Sequence, residues 1–257
     1  APAPGAASRP APRPADAPLG DPAPIPLVVI DPGHGGVDPG RIGPTGLKEK
    51  DIVLQVSRRL AQLLAERGYE VRMTRMSDTL IDLDDRGHMA NEWRGSRPGL
   101  FLSIHANGVT DRRANGFETF FLSEARTEDE RRVAEMENAA VAYEDNGHEV
   151  ASDDLSFILS GLRNDFYIRA SNSLAGLVQK QFAGFHSGVN RGVKQAGFRV
   201  LVRAFMPAVL VELAFVSNPA EERLLGSGRF QVEAARAIAD AVDRFFESHA
   251  DWTGATR

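Results

Sequence analysis

From Ile25 onward the chain alternates between short unbroken apolar runs and longer stretches whose apolar residues recur at helical spacing. "LVVID" reads as a strand buried on both faces, the kind found inside a parallel sheet. "KDIVLQVSRRLAQLLAERG" follows, with Ile52, Val53, Val56, Leu60, Leu63 and Leu64 on one helical face and Gly68 as the stop. "YEVRMTR" predicts a second strand and "DLDDRGHMANEW" a helix. "LFLSIHAN" and "GFETFFL" predict a third and a fourth strand. A charged stretch, 123–165, then breaks the alternation. Beyond it the pattern predicts a helix around Leu174 to Phe185, strands "FRVLV" and "AVLVELAFV", and a closing helix from Gln231 to Ser248. Such alternation predicts an α/β fold: a single domain over 27–250 with a twisted, mostly parallel sheet, helices on both faces and a helical insert.

The first 26 residues are a different material, holding nine of the 15 prolines and eight alanines. They lack the apolar surface to offset ordering entropy and read as a disordered linker, with 251–257 as a short tail. A start of this kind without methionine fits a chain cut downstream of a signal peptide. No apolar run approaches the roughly 20 residues needed to span a bilayer. The net charge of −5 argues against nucleic acid as a partner. Cysteine is absent, so any metal must be held by His, Asp and Glu. That absence also suits an oxidising compartment such as the bacterial periplasm.

Chemistry in open α/β sheets gathers at the carboxyl ends of strands. His34 lies just past "LVVID", and His105 directly follows "LFLSI". Glu49, at the start of the first helix, belongs above the same edge. Two imidazoles and a carboxylate leave a fourth position open, as in catalytic zinc sites. On spacing alone the alternative stands: a histidine in a glycine-rich loop is often a satisfied polar residue, and the local His-Glu-x-x-His signature is missing. Glu212 sits within the apolar run "AVLVELAFV" and is expensive to bury without a partner. It is either half of a buried ion pair or a general base beside a metal-bound water. Its position near the carboxyl end of its strand favours the base.

With those residues in hand, the chain resembles the zinc-dependent N-acetylmuramoyl-L-alanine amidases of the bacterial cell-division type. The motifs "VVIDPGHGG", "GLKEKD", "LSIHAN", "GFETFFLS", "NRGVKQAGFRVL" and "PAVLVELAFVSNP" fall in the family's order. The resemblance implies Zn²⁺ on His34, Glu49 and His105, with Glu212 as the catalytic base. It implies hydrolysis of the amide between N-acetylmuramic acid and L-alanine of peptidoglycan, by a monomer in the periplasm. Asn107 is a candidate for orienting substrate or a ligand. A zinc carboxypeptidase acting on the stem peptide and a metal-dead cell-wall binding module are the alternatives. In the insert, helical spacing puts Glu137 in the stripe of Val133, Met136, Ala140 and Val141, where composition alone lets it snorkel at the edge. The family's inhibitory helix implies instead that Glu137 occupies the open zinc position. Leu155, Ile158, Leu159 and Leu162 would then dock a LytM-domain activator protein.

Overall fold

A computed structural model of the chain describes residues 24–144 and 154–249, with 154–166 described as backbone only. The expected linker and tail fall almost wholly outside these residues. Six strands form one sheet: β1 (Leu27–Pro32), β2 (Glu70–Met73), β3 (Gly99–Asn107), β4 (Phe117–Leu122), β5 (Asn190–Ala196) and β6 (Ala208–Phe215). Their order is β2-β1-β3-β6-β4-β5. Every neighbouring pair is parallel except β4 with β6, which is antiparallel. The mostly parallel sheet expected from the strand-helix alternation is therefore present, with one reversal.

Period-2 alternation sends successive strand residues to opposite faces, and both faces are apolar. Val28, Ile30, Leu102, Ile104, Val209 and Val211 pack on one side. They meet α1 (Glu49–Glu66), α4 (Asp154–Phe182) and α7 (Gly228–Ser248). Leu27, Val29, Phe101, Phe120 and Leu210 pack on the other side. There they meet α2 (Leu83–Arg94), α3 (Glu128–Asn138) and α5 (Arg199–Val202). α6 (Pro219–Leu225) follows β6 directly. α7 buries Phe230, Ala234, Ile238, Val242 and Phe245, and its N-cap Ser227 accepts from the Phe230 amide at 3.2 Å.

Two local expectations are corrected. "FRVLV" is not a strand: Arg199–Val202 forms α5, and the strand is the preceding "NRGVKQA". β5 is an edge strand, so it needs little apolar character, while Val200 and Leu201 bury their side chains from a helical turn. The insert also has no boundary at residue 165. α4 runs unbroken from Asp154 to Phe182, so "DLSFILSGL" and the helix expected around Leu174 are one element. The side chains of Leu155, Ile158, Leu159 and Leu162 lie outside the described residues.

α3 starts with a capping box, in which Thr127 accepts from the Glu130 amide at 3.2 Å and Glu130 accepts from the Thr127 amide at 3.1 Å. After Asn138 the coil tightens into a 3-10 segment, Ala139–Tyr143, rather than continuing as one α-helix. On α3 the buried residues are Glu130, Val133, Ala134 and Glu137.

Candidate metal centre

The loop after β1 is built to hold one imidazole. His34 has φ 58°, a left-handed conformation that costs a non-glycine residue on the order of 1 kcal/mol and must be held by its surroundings. Two internal arginines hold it. Arg75 donates to the carbonyls of Pro32 (2.9 Å), Gly33 (2.7 Å) and Lys50 (2.9 Å). Arg86 donates to Asp31 Oδ1 and the Pro32 carbonyl, both at 2.9 Å, and to the His34 carbonyl at 3.1 Å. Asp31 is itself buried and also accepts from Thr74 and Ser103. Asp38 contacts His34 Nδ1 at 2.7 Å, which leaves Nε2 facing inward. The loop's glycines make room: a Cβ on Gly33 would lie 2.3 Å from the His105 ring, and one on Gly40 would lie 2.7 Å from Glu49 Oε2.

Glu49, the first residue of α1, turns its carboxylate onto the same point. Its Oε2 accepts from the Arg41 amide at 2.9 Å and its Oε1 from the Ala106 amide at 2.8 Å. Oε1 also lies 3.2 Å from His34 Nε2 and 3.2 Å from His105 Nδ1. A fourth group comes from α3, where Glu137 Oε2 stands 3.2 Å from His34 Nε2 and 2.9 Å from His105 Nδ1. One donor atom from each of these four buried residues lies within 4.8 Å of the others.

These atoms are close without being aligned on one another. His34 Nε2, His105 Nδ1 and Glu137 Oε2 are buried with no hydrogen bond. Lone pairs that converge on a shared centre, from two imidazoles and two carboxylates, suit a divalent cation of the zinc type. Protons and a cation compete for the same positions. Burial disfavours charge on His34, but Glu49, Asp38 and Glu137 outweigh it and hold this imidazole well above its ordinary range. His105 is likewise buried, and Glu137 and Glu49 raise it to about 10. Burial raises the two carboxylates, yet the imidazoles win, leaving Glu49 well below its usual value and Glu137 down to about 2.

Glu212 sits in register with His105 on one side and with Glu118 of β4 on the other. It is 1% exposed, and neither carboxylate oxygen has a hydrogen-bond partner. No arginine or lysine pairs with it among the described residues, so the ion-pair reading is set aside. Burial, then the charges of Glu137 and Glu49, push its carboxyl well above the carboxylate range. Asn107 does not orient a member of the cluster: its amide donates to Glu118 Oε1 at 2.6 Å. Glu118, Arg191 and Lys194 form a charged group beside the site that strand-end reasoning does not select. The pairing of β4 and β5 brings the starts of these strands, not their ends, to this edge.

An α/β sheet with a buried two-histidine, two-glutamate cluster that could hold a metal ion, and an unpaired glutamate beside it, has the donors and the proton acceptor that a metal-dependent hydrolase uses. Comparison with known proteins gives its kind. The N-acetylmuramoyl-L-alanine amidase family profile matches residues 28–244. Amidase AmiA of Escherichia coli (strain K12) is 38% identical over 224 residues, covering 86% of this chain and 76% of that protein. Amidase AmiC of Neisseria meningitidis is 35% identical over 87% of this chain, which spans 53% of that longer protein. Among solved structures, an N-acetylmuramoyl-L-alanine amidase from Clostridium difficile 630 matches with TM-score 0.66 and 27% identity, over 88% of this chain and 98% of that one. AmiC2 of Nostoc punctiforme matches with TM-score 0.63 and 28% identity, over 86% and 97%. The chain belongs to the N-acetylmuramoyl-L-alanine amidase family and is a peptidoglycan amidase.

Proposed function

We propose that this amidase is a zinc enzyme of septal cell-wall splitting, shut in this state by its own helix α3. One observation carries the reading: Glu137 completes a four-donor cluster with His34, Glu49 and His105, directly beside the unpaired Glu212. His34, Glu49 and His105 would hold the ion, and Asp38 would orient His34. When bound, zinc would polarise the lactyl carbonyl and lower the pKa of a water in the site. Glu212 accepts the proton of the attacking water on a carboxylate oxygen. As the carbon–nitrogen bond breaks, it returns that proton to the departing amine of L-alanine.

Glu137 opposes this chemistry in two ways. It fills the position where the carbonyl or the water would enter, and its charge favours the protonated form of Glu212. Withdrawing α3 removes both effects together. Because the plug is part of the same chain, its effective concentration is high, and opening requires a partner that binds the open form better. We assign that role to a LytM-domain activator protein in the periplasm, docking on Leu155, Ile158, Leu159 and Leu162 at the start of α4. Among the described residues no helix is long and apolar enough to cross a membrane.

Metal content and product chemistry together test the catalytic part. The parent chain should carry zinc at parity with protein, and His105→Ala should lose it. Sacculi digested by the chain freed of its plug by Glu137→Ala should yield peptide-free glycan and intact stem peptides that begin with L-alanine. Shortened peptides on intact muramyl links would replace this reading with that of a carboxypeptidase, and unchanged zinc in His105→Ala would remove the ligand assignment.

A further inference from the structure

α3 is tied to the sheet at a second point, in its first turn. Asp129 Oδ2 accepts from Lys194 Nζ at 2.9 Å and from Arg191 Nη2 at 3.4 Å. The same two cations grip Glu118, with Arg191 Nε at 2.9 Å and Lys194 Nζ at 2.6 Å from its Oε2. Three cations thus face two carboxylates, because Arg132 of α3 also reaches Asp129 Oδ1 at 2.5 Å; Glu118 is fixed in β4, while Asp129 and Arg132 travel with the helix. Glu118 is 1% exposed and cannot leave, whereas Asp129 goes wherever α3 goes. Once α3 lifts, one positive charge on β5 loses its carboxylate partner; with the helix in place Lys194 is 14% and Arg191 28% exposed. An uncompensated cation there is unfavourable, and a ligand carboxylate would restore the balance.

The surroundings are already shaped for one. Arg191 stacks its guanidinium 5.0 Å from the centre of the Phe215 ring, which fixes its donors in place. With α3 in place, a groove of about 590 Å³ runs between Asp129 and Val133 of that helix and Asn107, Glu118, Arg191 and Phe215 of the sheet, and lifting α3 widens it on the helix side. It adjoins the proposed base, because Glu118 is the register partner of Glu212. We propose that Arg191 and Lys194 form a recognition site for a carboxylate of the stem peptide, and that Asp129 occupies this site as an internal stand-in for substrate. The inference rests on the amidase reading and on release of α3. It makes the inhibitory helix a mimic at two points, with Glu137 at the metal position and Asp129 at the peptide position.

The test is calorimetric binding, which reads the site without turnover. The probes are the dipeptide L-Ala-D-Glu and the same peptide with both carboxyls amidated. The protein is the full zinc-loaded chain carrying Asp129→Asn and Glu137→Ala. The free acid should bind about tenfold more tightly than the amide, as expected for a charge-assisted contact. Adding Lys194→Met or Arg191→Gln should erase the preference, and adding Lys194→Arg should keep it. Restoring Asp129 alone should weaken the acid and leave the amide unchanged. Equal affinity for acid and amide in the double variant would overturn the proposal. So would a preference that survives both Lys194→Met and Arg191→Gln, since the carboxylate would then be on the metal. Loss of sacculus cleavage with the binding preference intact would count against the amidase reading and not against this site.

Discussion

Replacing Glu137 by alanine separates the plug from the site while leaving most of α3 in place. The carboxylate is 7% exposed and lies 2.9 Å and 3.2 Å from two imidazole nitrogens. The contact is electrostatic and not a hydrogen bond, and at the low end of close buried charge pairs it contributes about 1.5–3 kcal/mol. Burial and the neighbouring charge of Glu49 act against Glu137, so the net anchoring of the pair of contacts is about 2–3 kcal/mol. Losing it shifts the open-to-closed ratio by about 30- to 150-fold. The helix keeps other holds. Val133 and Ala134 remain buried, and the partly exposed ties of Asp129 add about 0–1 kcal/mol. While the closed form still dominates, basal activity should therefore rise by the same factor, about 30- to 150-fold, and remain below that of a fully released enzyme. Dye release from labelled sacculi, normalised to the metal content of the same sample, measures it. An unchanged rate with metal still bound would refute the plug.

In the same Glu137→Ala background, Glu212→Gln should lower turnover by about 10²–10⁴-fold while melting temperature and metal content hold. The fold does not depend on this carboxyl, whose oxygens have no hydrogen-bond partner; near-parental turnover would place the base elsewhere, and failure to fold would show that the carboxyl has a structural role. Asp31 gives a pH prediction: burial alone would raise its pKa, but Arg86, Thr74 and Ser103 outweigh it and hold the carboxyl below its ordinary value. Its contribution to stability is thus complete above the unfolded value of about 3.9 and is lost as pH falls through the depressed folded value. Asp31→Asn strands Arg86 and should cost about 3–5 kcal/mol at neutral pH, with a shallower acid limb in urea titrations. A loss below about 1 kcal/mol at neutral pH would show that the pair is not held as described.

The proposed ligands were legible because their surroundings are so unlike them. His34 and His105 interrupt glycine-rich or apolar sequence at strand ends, and Glu212 stands alone among Val, Leu and Phe. The carboxyl-end rule of parallel sheets then gathers them without any knowledge of distance. The rule stops at the β4–β6 reversal. Beyond it Glu118 and Arg191 lie near the starts of their strands, where nothing in the local pattern marks them. "FRVLV" misled because β-branched residues fit a buried turn as readily as a strand when tertiary packing decides. Glu137 was visible as an acid in an apolar stripe. Its meeting with two imidazoles depends on how α3 crosses the sheet edge, which helical periodicity does not encode. The break expected at residue 165 followed charge density, and a long helix carries charge and apolar surface through the same turn.

The burial of the four-donor cluster has a kinetic side. His34, Glu49 and His105 are 8%, 0% and 5% exposed, and Glu137 of α3 closes the remaining approach. An ion held there leaves or enters only while α3 is lifted, so metal exchange and catalysis share one gate. Under excess chelator, the rate of metal loss then becomes the opening rate of the helix and is independent of chelator concentration. On the proposed reading, the closed helix that would silence the enzyme would also retain its ion, and opening would expose that ion to scavenging as well as to the wall.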